Sequence, residues 1–533
     1  MTLTCGEHLV RLLEAHDVDT VFGISGVHTL EIYRGLNNSS IRQVTPRHEQ
    51  GVGFMADGYA RRTGKPGVAI VISGPGITNV STPVASAYHD SIPLLVISAV
   101  VSTTKLGRET GTIHDLPDQQ GLMSTITASS ETVLAPEDLA PAVSRAFALL
   151  GGRRPRPVHI QVPTDVLAMP AAQAEAVVAE PLAPRADQDA LRRAAELLDR
   201  AQRPFVIAGG GTHGCGARIG ELADRINALV GCTIGGKAVV PDDHPRSVGS
   251  TMTFAPTSAE LLGADVVVAI GTEFSELDFW ALPEGWQLSG ELIRIDIDPG
   301  QVGRKITPAV ALVGDAGEVL DRLLAELGGQ ASVGARSVAN RDSLDLDPSI
   351  TPHLALLDAI DAALPRDRVV AGDSTQPAYA ANHLLPIYHD RSWLMPIGFA
   401  ALGCALPMAI GAKVADPEAP VLALVGDAGL LFSVAELATA VDLGLALPVV
   451  VWNNHGYGEI RDAMDHAGIP HIGTDASVFD VPTLARGFGC IGARASTPEE
   501  LTALIAQALE TDAPTVIEVR AEEFHPAGPV TGH

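Results

Sequence analysis

The chain has 533 residues, well past the ~250–300 at which a single core stops growing, so about three domains are expected. Apolar residues make up 46% and charged residues 19%, which supplies material for buried sheets and too little charge for disorder. The formal net charge of −27 excludes a nucleic-acid groove or an anionic-membrane face, because both need a basic surface.

Residues 1–10 carry Glu7 and His8 where a signal peptide needs an apolar run, and no apolar stretch reaches the ~18 residues of a membrane span. Residues 1–170 then alternate helical patterns with short apolar runs at 20–23, 68–73 and 93–99, and close with PVHIQVP at 157–163. Glycine, proline or polar residues bound each run, as in buried parallel strands joined by crossover helices. Residues 169–188 shift to Ala, Pro and Glu, a linker composition. A second block, 189–330, has strand patterns at 204–208, 264–270 and 292–296, and 331–348 again reads as linker. The third block, 351–533, has them at 369–371, 421–425, 448–452 and 515–519. Strand and helix alternate in all three, which predicts three parallel-sheet α/β domains. The five cysteines (Cys5, Cys215, Cys232, Cys404, Cys490) are far apart and lack any CxxC or Cys/His ligand spacing. They fit a cytoplasmic protein with neither a disulfide framework nor a zinc site.

Two segments share a plan. VAIVIS, a glycine turn, a helix, DSIP and LLVI (68–97) parallel VLALVG, a DAG turn, a helix, LGLALP and VVV (421–451). A common βαβ unit would suffice to explain this. Two copies at opposite ends of a chain, with a different block between, say more.

The sharpest motif is Gly426-Asp427-Ala428 followed, 27 residues after Asp427, by Asn453-Asn454-His455-Gly456. Each piece follows an apolar strand, and in an open parallel sheet ligands bind outside the carboxyl ends of the strands. The Asp427 carboxylate, the Asn454 amide oxygen and the Gly456 carbonyl are hard donors suited to Mg²⁺ that shares its other sites with water and phosphate. Gly429 and the helix it opens add N–H groups that favour an anionic diphosphate. Taken singly, Asp427 could equally cap its helix, and the Asn pair could form a turn.

With VFGISG (21–26), RHEQ (47–50), ADGYAR (56–61), SGPGITN (73–79), DSIP (90–93), GKAVVPDDHP (236–245), RIDIDP (294–299) and ALGCALPMAIGA (401–412), the Gly-Asp-x…Asn-Asn pattern resembles the thiamine-diphosphate enzymes of the acetolactate synthase-like group. The third position of the motif, glycine in the family, is Ala428 here. Gly458-Glu459-Ile460-Arg461-Asp462 and residues 47–58 are most similar to the branch containing 5-guanidino-2-oxopentanoate decarboxylases. A guanidinium substrate would want a carboxylate, and Asp462, Asp465, Glu276 or Asp278 could supply it.

The resemblance implies two related thiamine-diphosphate-binding domains, for the pyrimidine and the diphosphate, flanking a Rossmann-like central domain. It implies a homodimer or homotetramer with the cofactor between subunits. The implied reaction is decarboxylation of a small-molecule 2-oxo acid through a C2 ylide and an enamine, which is protonated to an aldehyde or added to a second carbonyl. Glu49 is implied as the carboxylate at the aminopyrimidine N1′, and Gln119 as a residue facing the reacting carbon. Gly26, Gly74 and Asn79 are implied near the pyrimidine, and Ser374, Thr375, Gln376, Gly426, Ala428, Gly429, Tyr457 and Gly458 around the diphosphate. Leu402 matches the apolar residue under which the cofactor bends, though a core leucine would read alike. His28, His48 and His114 sit in loops where they could move protons or serve structure alone, and His28 and His114 are taken as catalytic candidates.

Gly209-Gly210-Gly211-Thr212-His213-Gly214 satisfies GxGxxG, but no acidic residue ends the next strand pattern, which runs into Gly235-Gly236-Lys237, so a dinucleotide is not expected. Some relatives bind FAD in this domain. The loop at 271–278 is acidic here where FAD-binding synthases carry arginine, so FAD is not expected either. An FAD-containing oxidase of the pyruvate oxidase kind and a non-catalytic relative are the alternatives. The tail, 524–533, is read as a possible lid.

Overall fold

The computed structural model describes residues 3–172, 177–178, 183–328, 341–475 and 479–524. The tail read as a lid lies, from 525 onward, outside the described residues, as do parts of both linkers.

The alternation of apolar runs and helices resolves into three six-stranded sheets in which every pairing is parallel. The first holds β1 (Thr20–Gly23), β2 (Arg42–Val44), β3 (Gly67–Val71), β4 (Leu94–Val100), β5 (Ser129–Thr132) and β6 (Val158–Pro163), in the order β2-β1-β3-β4-β6-β5. The second holds β7 (Pro204–Ala208), β8 (Leu229–Cys232), β9 (Ser247–Gly249), β10 (Val266–Ile270), β11 (Glu291–Asp296) and β12 (Val310–Val313), in the order β12-β11-β10-β7-β8-β9. The third holds β13 (Val369–Gly372), β14 (Trp393–Leu394), β15 (Val421–Gly426), β16 (Pro448–Asn453), β17 (Ile491–Ala495) and β18 (Thr515–Arg520), in the order β14-β13-β15-β16-β18-β17.

Counted from its own first strand, the third sheet repeats the order of the first, so the two similar sequence segments occupy equivalent places (β3–β4 and β15–β16). The middle sheet has the doubly wound order of a dinucleotide-binding fold. Its GxGxxG glycines are used for packing: a Cβ on Gly209 would lie 2.2 Å from the Gly271 carbonyl oxygen, and one on Gly211 2.9 Å from Gly271 Cα. His213 and Gly214 meet the third block instead, at the Asp390 carboxylate, at 2.5 and 2.7 Å.

One apolar core joins the first and third sheets through two helices, Glu49–Thr63 and Ala405–Ala415, with Phe54, Met55, Met408 and Ile410 wholly buried. Small residues let the two backbones nearly touch. A Cβ on Gly58 would lie 2.1 Å from the Met408 carbonyl oxygen, and one on Gly411 2.0 Å from that of Met55. A buried ion-pair cluster braces the same junction: Arg61 binds Asp57 and Asp90, while Asp90 also accepts from the N–H groups of Ile397 and Gly398.

Candidate active site

Asp427 begins the helix that follows β15, and Asn454 follows β16, the neighbouring strand, with Gly426 paired to Trp452. The two motif pieces therefore leave one sheet edge side by side. A cavity of about 200 Å³ opens there. The expected Ser374, Thr375, Gln376 and Leu402 line it, as do residues 426–429, Asn454 and 456–458. Tyr379, Ala400, Glu459 and Ile460 line it too, and the sequence had not placed them there.

Asp427 is 3% exposed, and its Oδ1 has no hydrogen-bond partner in the protein. Burial pushes its carboxyl pKa up, while the N–H groups of Ala428 and Gly456 pull it back. An orphaned buried carboxylate oxygen in a polar cavity is costly unless a cation or donor occupies the space. The two asparagines divide the work. Asn453 shapes the turn, its Nδ2 donating to Glu518 at 2.6 Å and its Oδ1 accepting from the His455 N–H. Asn454 Nδ2 donates to Gln376 Oε1 at 3.3 Å, which leaves its own Oδ1 free of that bond. A Cβ on Gly458 would lie 2.3 Å from Asn454 Nδ2, so a side chain there would displace that amide. One carboxylate, one amide oxygen and one carbonyl are the donors that Mg²⁺ with a diphosphate takes. Among the described residues no cluster of three His, Cys, Asp or Glu side chains offers a rival metal site.

Asp373 ties this cavity together. Its buried carboxylate accepts from the N–H groups of Ser374 (2.8 Å) and Gly403 (3.0 Å), joining the Ser374–Gln376 loop to the turn that carries Leu402. Burial pushes its pKa up to about 6.

The remaining predicted residues gather at the carboxyl edge of the first sheet. Glu49, half-buried at the first turn of its helix, receives Asn79 Nδ2 at 2.9 Å. Gly26 packs where a Cβ would lie 2.5 Å from Ile72 Cγ2. Gly74 adopts φ +65° at a point where a Cβ would lie 2.8 Å from the His114 carbonyl oxygen. His28 Nδ1 lies 2.6 Å from Ser73 Oγ, its ring meets that of His114 edge-on at 5.1 Å, and burial lowers its pKa. His48 caps its own helix, accepting from the Gln50 N–H. Gln119 is 3% exposed with its amide fully engaged. Its Oε1 accepts from the Gly74 N–H, and its Nε2 donates to Ser98 Oγ, Ala99 O and Gln161 Oε1. In this arrangement Gln119 holds the Gly74 turn.

Glu436 is a further residue the sequence did not single out. It is 1% exposed, lies on the third-block helix Glu436–Asp442, and accepts from the N–H groups of Arg47 and His48 at 3.1 Å, just before Glu49. These two backbone donors lie 388 and 389 positions away, so no local pattern could reveal the link.

Within one chain the two groups do not share a cavity, for no residue of the first sheet or its loops lines the space beside Asp427. Of the four carboxylates considered for a cationic substrate, Asp278 is buried in the middle block, accepting from the Ile234 N–H at 2.7 Å, and Glu276 starts the same short turn. Asp465 pairs with His471. Only Asp462 adjoins the cavity, through Gln376.

This fold and this cavity define a thiamine-diphosphate enzyme, and the chain belongs to that family. Residues 3–122 match the N-terminal TPP binding domain of thiamine pyrophosphate enzymes, 191–323 the central domain and 373–519 the C-terminal TPP binding domain. The chain is 45% identical to a probable 2-ketoarginine decarboxylase of Pseudomonas aeruginosa, over 97% of this chain and 94% of that one. It is 31% identical to the acetolactate synthase isozyme 3 large subunit of Escherichia coli (95% and 92% covered). It is 29% identical to a probable acetolactate synthase large subunit of Methanocaldococcus jannaschii (96% and 91% covered). The chain is a thiamine-diphosphate-dependent enzyme of the 2-oxo acid decarboxylase and carboligase kind, acting on a small-molecule 2-oxo acid. Among the described residues, no helix is long and apolar enough to cross a membrane.

Proposed function

We propose that this enzyme converts a 2-oxo acid with a cationic tail, of the 5-guanidino-2-oxopentanoate kind, into CO₂ and the aldehyde one carbon shorter. Asp427, Asn454 and the Gly456 carbonyl would hold Mg²⁺ and the diphosphate, and the observation that carries this is the buried, partnerless Oδ1 of Asp427. Thiamine diphosphate, when bound, supplies the carbon centre that accepts the electron pair left when CO₂ departs. Glu49, oriented by Asn79, holds a proton at the pyrimidine N1′. Leu402 lines the cavity where the cofactor would sit, and His28 and His114, in edge-on contact at the Glu49 edge, would supply exchangeable protons. The bond between the carboxyl carbon and C2 of the substrate breaks, and a proton takes its place.

The cofactor lies between two copies of the chain, each lending its Glu49 edge to the other's Asp427 cavity, in a homodimer or a pair of them. Two observations support this reading. The Glu49 group lines none of its own chain's cavity, and both edges expose apolar side chains. Val27 (81% exposed) and Ile113 (74%) adjoin His28 and His114, and Phe432 (51%) lies on the Asp427 helix. The division of the chain into units 1–170, 189–330 and 351–533 belongs to the same proposal. The substrate class is supported by the greater identity to the 2-ketoarginine decarboxylase than to the acetolactate synthases.

The test is to supply thiamine diphosphate, Mg²⁺ and a panel of 2-oxo acids, following CO₂ and the carbon skeleton of each product. One aldehyde per CO₂ is expected. Products longer than the donor would make the enzyme a ligase, and no CO₂ from any 2-oxo acid would end the proposal.

A further inference from the structure

The rim of the Asp427 cavity carries an unusual charge arrangement. Glu459 lines it, and Asp462 stands one turn on along the same helix, Gly458–His466. Residues three apart share a helix face, and two like charges there oppose helix formation. The Gln376 amide lines the cavity beside Glu459, donating to Asp462 Oδ2 at 2.6 Å while its Oε1 faces Asn454. Among the described residues, neither carboxylate has an arginine or lysine within ion-pair distance. Arg461, on the same helix, turns away to donate to the Asn454 and His455 carbonyls and to pair with Asp475. Desolvation and Asp462 push the Glu459 carboxyl pKa up, while a hydrogen bond from Gln376 and the nearby His466 pull it back.

The cavity must already receive anions, a diphosphate and the substrate's own carboxylate, and it already contains the unpartnered oxygen of Asp427. Glu459 and Asp462 are both exposed at its mouth, and the negative potential they set up there repels a further anionic group and attracts a cationic one. We infer that Glu459, with Asp462 behind it, forms a subsite for the cationic end of the substrate, and that this pair sets the enzyme's preference for 2-oxo acids with a basic tail. Ile460, also on the rim and 49% exposed, offers the apolar contact along which an aliphatic stem would run. The inference rests on the substrate class proposed above and assigns residues to it.

The experiment uses full-length enzyme loaded with thiamine diphosphate and Mg²⁺, and measures kcat/KM on three donors. These are 5-guanidino-2-oxopentanoate, uncharged 2-oxohexanoate and anionic 2-oxoadipate. In Glu459→Gln the ratio of cationic to uncharged kcat/KM falls about 10- to 100-fold, the usual worth of one charged hydrogen bond. In Asp462→Asn it falls several-fold. In Glu459→Lys the preference shifts to 2-oxoadipate, a gain that general damage to the fold does not produce. An unchanged ratio in both Glu459 variants, or equal losses on all three donors, overturns the inference while leaving the substrate class intact. A wild-type enzyme that treats the cationic and uncharged donors alike overturns the substrate class itself, and the subsite with it.

Discussion

Asn79 donates its side-chain amide to Glu49 Oε2 at 2.9 Å, so the proposed proton-holding carboxylate is fixed by a residue of the next crossover helix, Pro75–Asp90. Positioned acid–base groups contribute about 10²–10⁴-fold to rate. Glu49→Gln is expected to lose about that much turnover while thiamine diphosphate still binds, measured by steady-state kinetics beside calorimetry. Asn79→Ala should lose less, about tenfold.

Asp427 should behave in the opposite way. Its cavity oxygen has no protein partner, and burial already disfavours its charge. Asp427→Ala is expected to abolish the Mg²⁺-dependent rise in melting temperature that thiamine diphosphate gives the wild type, since that rise reports ligand binding to the native state. Chelating the metal should reproduce the effect in the wild-type chain. A normal shift in Asp427→Ala would remove this residue from the site.

Glu436 accepts from two backbone N–H groups and from Thr439 Oγ1 in a buried setting. Replacing it by alanine leaves those donors without an acceptor, an expected cost of about 2–4 kcal/mol in urea denaturation. Glu436→Gln keeps one acceptor and should fold, with lowered turnover and unchanged cofactor affinity, because Glu49 loses its anchored approach.

The middle block predicts a pH effect. Burial pushes the Asp278 pKa from 3.8 up to about 7. Between those values the native state holds a proton that the unfolded chain has released, so stability falls as pH rises from about 4 to 7. The charged form costs on the order of a few kcal/mol above that window. Asp278→Asn, which can still accept from the Ile234 N–H, is expected to flatten this slope and to be the more stable protein at pH 8. Thermal melts across the range check it.

The buried central strands were readable because both of their faces are apolar: β3, β4, β10, β15, β16 and β18 all begin within two residues of the sequence expectation. The edge strands were not. The side chains of β5 are all half-exposed and those of β17 are half-exposed or exposed but for Ala495, and short strands without a continuous apolar run give no period to detect. That Asp427, Asn454 and Gly456 meet at one sheet edge was legible because they follow two strand ends that the pattern locates. Asp373 and Glu436 were not, since each is defined by backbone N–H groups that only tertiary packing brings near. Gln119 carried the reverse ambiguity. A glutamine at a loop–helix boundary gives no sign that its amide will be consumed by Gly74, Ser98 and Gln161.

The crossing of Gly58 over Met408 and of Gly411 over Met55 leaves no gap into which either helix could slide. The outer two blocks of a chain thereby meet backbone to backbone. The loop tips beside the site are built differently. Three of these hold non-glycine residues in left-handed backbone, at His114, Ala400 and His455. Such conformations are strained and have an extended alternative close by.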